Sequence, residues 1–146
     1  MERLLKLIQD MTVLYEDFAK FQEEKKTVLT FLQSDRFEEI TREEQPFVLK
    51  VRGFDQKRKA LTKDLGFGDA TLGTVVNDIK FANDAEESAI KEEYAKLKEA
   101  VSKFTDVLGK NAEMADKYME CFTDEYGEHF GASLENRSGE NIDVIS

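Results

Sequence analysis

Apolar residues recur at heptad spacing from the start of the chain, and this pattern constrains the fold more than any other feature. The seam, which only Lys25 interrupts, consists of Leu4, Met11, Phe18, Lys25 and Leu32 at one heptad position and of Leu7, Leu14, Phe21 and Val28 at another. Ile8, Tyr15 and Leu29 widen the seam into the stripe that a bundle helix needs. A strand would instead alternate with a period of two. We therefore predict a helix over residues 2–33.

A second apolar stripe runs from Phe37 to Leu65 and predicts a helix over residues 36–65. Pro46 falls inside this stripe. Because proline removes a backbone donor and crowds the preceding turn, we expect a kink or a restart of the helix near Glu43 to Pro46.

Glycines separate this helix from two further helical segments. Gly66 suits the left-handed residue that closes a helix. Residues 71–82 then form a short helix, with a strand as the alternative because the segment contains a β-branched pair. The heptad period returns afterwards and predicts a helix over residues 84–130, which Gly109 weakens by about 1 kcal/mol without ending it.

These elements predict an all-α protein, an antiparallel up-and-down bundle of three to four long, coiled-coil-like helices. The bundle forms one domain over residues 1–134, and residues 135–146 form a disordered polar tail because they lack a helical period. A single helix from 84 to 130 would be about 70 Å long and would overhang its neighbours unless it breaks near Gly109 or Gly127. The apolar stripe of the overhang would then either bind a partner or stay dynamic.

The charge of the chain argues against several classes of partner. Acidic residues outnumber basic residues by 31 to 21, which gives a net charge of −10. Such a chain repels the phosphates of nucleic acids and of anionic lipids. We therefore expect no nucleic acid as a partner and, since no window is apolar enough to span a bilayer, no membrane insertion. The single cysteine, Cys121, and the lack of a signal-peptide pattern predict a cytoplasmic protein.

Candidate catalytic and metal-binding residues are scarce. His129 is the only histidine and lies in a loosely patterned segment, where nothing suggests that the fold places a nucleophile or an orienting carboxylate beside it. Zinc sites need about four cysteine or histidine ligands, and the acidic clusters lack the spacing of a calcium loop. Gly66-Phe67-Gly68 is not followed by the lysine and serine of a phosphate-binding loop. We predict that the protein is not an enzyme and has no catalytic residue, metal site or cofactor.

Three polar residues, Lys25, Arg58 and Asn111, occupy seam positions that packing alone would fill with aliphatic side chains. The simpler interpretation for Lys25 and Arg58 is that the stem packs in the core while the charged group reaches solvent. The alternative is that buried polar groups fix the register of the helices, because a slipped pairing would leave them without partners.

Several short strings, in this order along the chain, are similar to those of a known protein family. They are Leu32-Gln33-Ser34-Asp35-Arg36-Phe37, Thr41-Arg42-Glu43-Glu44-Gln45, Arg58-Lys59-Ala60-Leu61, Leu65-Gly66, Thr71-Leu72 and the helix that contains Asn111. Aromatic residues and a polar tail follow. In this arrangement, which covers nearly the whole chain, the sequence resembles the FlgN family of flagellar export chaperones.

The resemblance implies what the protein binds. FlgN-type proteins bind hook-associated proteins in the cytoplasm, keep them unassembled and deliver them to the flagellar type III export apparatus. Carried over to this chain, the implied partner-binding residues are Met119, Phe122, Tyr126, Phe130 and Leu134. Tyr126 is the implied docking residue for the export gate, and Tyr118 is the alternative. The glycines that follow Tyr126 depart from a firm C-terminal helix.

A second function fits the same pattern of stripes. A structural or regulatory coiled-coil scaffold that homodimerises would bury Phe122, Tyr126 and Phe130 between identical chains. The two functions differ in what covers the C-terminal apolar residues, which is another protein in the first case and a second copy in the other.

Overall fold

Four helices make up the computed structural model of this protein, which describes residues 1–31 and 33–121. The side chains of residue 34 and of residues 118–121 are outside this description. The helices are α1 Glu2–Thr30, α2 Ser34–Asp64, α3 Leu72–Asp78 and α4 Asp84–Cys121. The predicted all-α class is therefore confirmed, and the strand considered for residues 71–82 is wrong because α3 forms there. Residues 122–130 of the last predicted helix and the predicted tail, 135–146, lie outside the described residues.

The contacts between side chains give the direction of each long helix. Arg3 pairs with Asp64, and Lys25 further along α1 pairs with Glu44, so α1 and α2 run antiparallel. By contrast, α1 and α4 run parallel, since successive contacts from α1 reach successively later residues of α4. The three long helices therefore run up, down and up, and the short α3 lies between α2 and α4. This confirms the predicted up-and-down bundle.

The centre of the core is a stack of phenylalanine rings from the three long helices. The ring of Phe18 lies 4.9 Å from that of Phe47 on α2 and 4.4 Å from that of Phe104 on α4. Phe21 contacts the same Phe47 ring at 5.1 Å. Such ring pairs contribute about 0.5–1.5 kcal/mol each beyond the area they bury. Helix α1 is thus the central helix, and it packs more extensively on α4 than on α2.

Short polar contacts define where the later helices begin. Gly66 and Gly68 have φ angles of 87° and 58°, so the chain turns sharply after α2 at positions that suit glycine. The side chain of Thr71 accepts a hydrogen bond from the backbone N–H of Thr74 and caps α3. In the same way, Asn83 Oδ1 accepts from the N–H of Glu86 at 2.8 Å and caps α4.

Pro46 and Gly109, the two residues expected to weaken the long helices, both lie inside continuous helix. Helix α2 passes through Pro46, so the predicted alternative of a restart near Glu43 to Pro46 is wrong. The cost of the proline, about 3 kcal/mol in a helix interior, is offset by packing on either side of it. Glu44 and Phe47 both contact α1. Helix α4 likewise continues through Gly109, so the alternative of a break there is wrong.

Candidate partner-binding site

The predicted partner-binding residues lie at and beyond the end of α4. Met119 is in the last turn of that helix, where the structure describes the backbone alone. Phe122, Tyr126, Phe130 and Leu134 lie outside the described residues. The alternative docking residue, Tyr118, is in α4 with its side chain undescribed. The assignment of these residues to partner binding therefore stays a prediction.

An exposed aromatic side chain marks the end of the bundle from which these residues follow. Thr30 Oγ1 lies 4.0 Å from Met114 Sδ, so the last turn of α1 is level with the last part of α4. Phe31 comes directly after α1 and is 69% exposed. From Met114, α4 continues for about 10 Å to Cys121. Phe31 was not among the predicted site residues, although an apolar residue off the stripe and beside a chain break is a usable signal.

A buried ion pair joins α1 to α2 in the same half of the bundle. Lys25 Nζ lies 3.2 Å from both carboxylate oxygens of Glu44, and the two side chains are 1% and 0% exposed. Gln22 Nε2 donates a hydrogen bond of 2.6 Å to Glu44 Oε2. The predicted reach of Lys25 into solvent is therefore wrong, because its ammonium group is bound inside the protein to a carboxylate on another helix.

Asn111 extends this polar cluster to α4. Its Nδ2 donates to the backbone oxygen of Gln22 at 2.8 Å and to Gln22 Oε1 at 2.9 Å. The side chain is fully buried, and its Oδ1 has no hydrogen-bond partner among the described residues. We name Gln22, Lys25, Glu44 and Asn111 the polar cluster. It connects all three long helices, an arrangement that favours the register interpretation because sliding any helix would separate buried partners.

Arg58 joins α2 to the connection that precedes α3. The guanidinium donates to the backbone oxygen of Ala70 at 2.9 Å and to Asp55 Oδ1 at 3.1 Å and 3.2 Å. The side chain is 8% exposed. The predicted reach of Arg58 into solvent is also wrong, since its donors hold a chain turn against the helix.

A groove between α1 and α2 lies in the other half of the bundle. It has a volume of about 430 Å³ and is continuous in its lining with a second groove of about 250 Å³ nearer the start of α1. Their apolar lining consists of Leu7, Val13, Leu14, Phe47, Phe54, Ala60 and Leu61. Gly53 opens the larger groove because it has no side chain, and a Cβ there would meet nothing within 4 Å. The sequence stripes did not predict this groove, since an isolated glycine in a helix rarely indicates one.

The groove keeps two half-buried phenylalanine rings accessible beneath lysine side chains. Lys57 Nζ lies 5.1 Å from the centre of the Phe54 ring, and Lys50 Nζ lies 6.0 Å from that of Phe47. Val13 on the opposite wall is 56% exposed. The groove therefore combines an apolar floor with charged walls, a combination suited to an amphipathic peptide segment.

Burial raises the pKa of two tyrosines in the described part of the chain. Burial, with a smaller contribution from Asp55, raises the pKa of Tyr15, whose hydroxyl has no hydrogen-bond partner among the described residues. Burial also raises the pKa of Tyr94. Among residues 1–31 and 33–121, no group of three or more His, Cys, Asp or Glu side chains is arranged to hold a metal ion. No described helix is long and apolar enough to cross a membrane.

Comparison with known families resolves the resemblance. Residues 1–125 match the family described as FlgN protein. The chain belongs to the FlgN family. The match includes all four helices that the structure describes in this FlgN-family protein and ends just before Tyr126. Membership implies a role as a chaperone in flagellar protein export and confirms the family resemblance seen in the sequence. No curated protein and no solved structure is significantly similar to the chain.

Proposed function

We propose that this FlgN-family protein is a cytoplasmic export chaperone that binds hook-associated proteins. In this role it prevents their premature assembly and delivers them to the flagellar export apparatus. The observation that carries the proposal is the family match over residues 1–125, which covers the whole described bundle. The described residues add a stable frame, because the polar cluster and the phenylalanine stack hold α1, α2 and α4 together.

The proposed binding surface consists of Met119, Phe122, Tyr126, Phe130 and Leu134. Its support is twofold. The last four of these residues are large, apolar or aromatic and spaced four apart in the sequence. The exposed Phe31 lies at the same end of the bundle as the end of α4, so it would extend the surface on the described side. A surface of this kind covers an amphipathic helix of the partner without covalent chemistry.

The same segment would also contact the export gate. Tyr126 is the proposed docking residue, with Tyr118 as the alternative. A segment that becomes ordered on binding pays an entropic cost, which lowers the affinity and keeps the complex releasable. Release is what a delivery function requires.

The test is a calorimetric titration of the full chain with a purified hook-associated protein. We expect binding at micromolar concentration or tighter, weakened at least tenfold by the combined change Phe122→Ser, Tyr126→Ser and Phe130→Ser. The control is Leu49→Ser, which alters an exposed apolar residue away from this end and outside the groove. Absence of binding to any hook-associated protein would overturn the proposal. A stable dimer by ultracentrifugation that the triple change dissociates would favour the homodimeric scaffold instead.

A further inference from the structure

The negative charge of the chain is concentrated in its last segment. Residues 122–146 contain six acidic residues, Asp124, Glu125, Glu128, Glu135, Glu140 and Asp143, and one basic residue, Arg137. This segment therefore contributes −5 to the net charge of −10. It also contains the apolar residues of the proposed binding surface other than Met119. It is thus an acidic segment with regularly spaced apolar side chains.

The two connected grooves between α1 and α2 have the opposite character. Their walls carry four basic side chains, Arg3, Lys6, Lys50 and Lys57, and two acidic ones, Asp10 and Asp17. The local balance is positive in a chain whose overall charge is strongly negative, even though Arg3 is paired with Asp64. Between the walls lie the accessible rings of Phe47 and Phe54 and the exposed side chain of Val13.

We propose that residues 122–146 fold back and occupy this groove when no partner is bound. The acidic side chains would then face Lys50 and Lys57, and the apolar side chains would cover the groove floor beside Gly53. The segment is long enough, since its 25 residues reach at most about 80 Å when extended. Thr30 lies beside Met114, close to the end of α4. The groove begins near Asp17, about 20 Å from Thr30 along α1.

This inference deepens the proposed function, and it rests on that function for its consequence. The residues proposed to bind the hook-associated protein would be covered in the free chaperone, so partner binding would have to displace them from the groove. A binding-competent state that is only partly populated weakens the apparent affinity by that fraction. Substitutions that displace residues 122–146 from the groove should therefore tighten partner binding.

Cysteine cross-linking in the full chain tests whether the segment lies in the groove. In a Cys121→Ser background, one cysteine is placed by Phe130→Cys and the second by Val13→Cys, and a short bifunctional maleimide is added. The matched control replaces the second cysteine by Ser102→Cys, an exposed position on α4 at about the same height as Val13. We expect at least fivefold more cross-linking within one chain for Val13→Cys than for Ser102→Cys. Added salt should reduce the difference because it screens the charges.

Two further variants separate occupation of the groove from chance proximity. Lys50→Glu with Lys57→Glu reverses the charge of one wall, and Gly53→Phe places a large side chain in the groove at a position where a Cβ meets nothing within 4 Å. Both should abolish the excess cross-linking, while Gly53→Ala should keep it. Equal cross-linking at Val13→Cys and Ser102→Cys would overturn the proposal. Cross-links found only between two chains would overturn it as well, since a second copy would then be the occupant.

A titration with the hook-associated protein keeps this proposal separate from the proposed function. Gly53→Phe should bind the partner at least threefold more tightly than Gly53→Ala. If the partner binds and Val13→Cys shows no excess cross-linking, the folded-back segment is wrong and the chaperone function stands. If the excess is present and no hook-associated protein binds, the chaperone function is wrong and the folded-back segment stands.

Discussion

The two sides of the central helix α1 bury different chemistry. Toward α4, α1 packs closely along its length, with Tyr15 and Phe18 against the ring of Phe104. Toward α2, the contact combines a buried ion pair in one half with an open groove in the other. The comparison indicates that the α1–α4 contact supplies most of the packing energy. The α1–α2 contact aligns the helices and leaves an accessible apolar surface.

The largest expected effect on stability comes from Phe18, which belongs to both the α1–α4 contact and the α1–α2 contact. Phe18→Ala removes a buried ring that stacks on Phe47 and Phe104, so we expect a loss of about 3–5 kcal/mol in the free energy of unfolding. Urea denaturation followed by circular dichroism measures it. Val13→Ala, at an exposed position of the same helix, is the control and should cost much less. Similar losses for both variants would mean that the ring stack is not central to the core.

The next effect separates the ion pair from ordinary packing. Lys25→Met removes a cation bound directly to the buried carboxylate of Glu44, and we expect a loss of about 3–5 kcal/mol in the free energy of unfolding. Adding Glu44→Gln removes the buried charge while keeping an acceptor for Gln22, so the double variant should recover most of that loss. The comparison of single and double variants is a double-mutant cycle. Additive losses would contradict the coupling of these two groups.

A smaller effect tests the α1–α4 side and carries a pH dependence. Tyr15→Phe removes a buried hydroxyl without a hydrogen-bond partner among the described residues, so we expect about 1 kcal/mol of stabilisation at neutral pH. Folding raises the pKa of Tyr15, so the folded protein retains the proton that the unfolded chain releases. The retained proton therefore leaves the free energy of unfolding unaffected below pH about 10, and the free energy of unfolding decreases as the pH rises above that value. The advantage of Tyr15→Phe should therefore grow in denaturation curves above that pH; a constant difference would contradict it.

The smallest effect concerns the groove on the α1–α2 side. Gly53→Ala should raise the free energy of unfolding by about 0.5–1 kcal/mol, because alanine favours a helix and its Cβ meets nothing within 4 Å. Gly73→Ala in α3 is the matched comparison, since a Cβ there would lie 2.9 Å from the hydroxyl of Tyr94 and force it to move. Thermal denaturation should show a smaller gain at Gly73. Equal gains would mean that the open space at Gly53 has no influence.

Periodicity predicted the described helices well because each long helix buries a continuous stripe. It could not predict the polar cluster, since Lys25 and Glu44 are far apart in sequence and meet only when α1 and α2 are antiparallel. Likewise, of the kink or restart expected near Glu43 to Pro46, the restart does not occur because contacts with α1 on both sides of the proline offset its local cost. The groove beside Gly53 depends on how two helices pack, which no single stripe encodes.

Deletion of residues 119–146 tests the central claim most directly, with two readouts on the same protein. The account holds that the described bundle is a frame and that the segment after it binds the hook-associated protein. We therefore expect the shortened chain to keep the helical circular dichroism and cooperative unfolding of α1–α4 and to lose binding in a calorimetric titration. Retained binding, or collapse of the helical signal on deletion, would contradict the account.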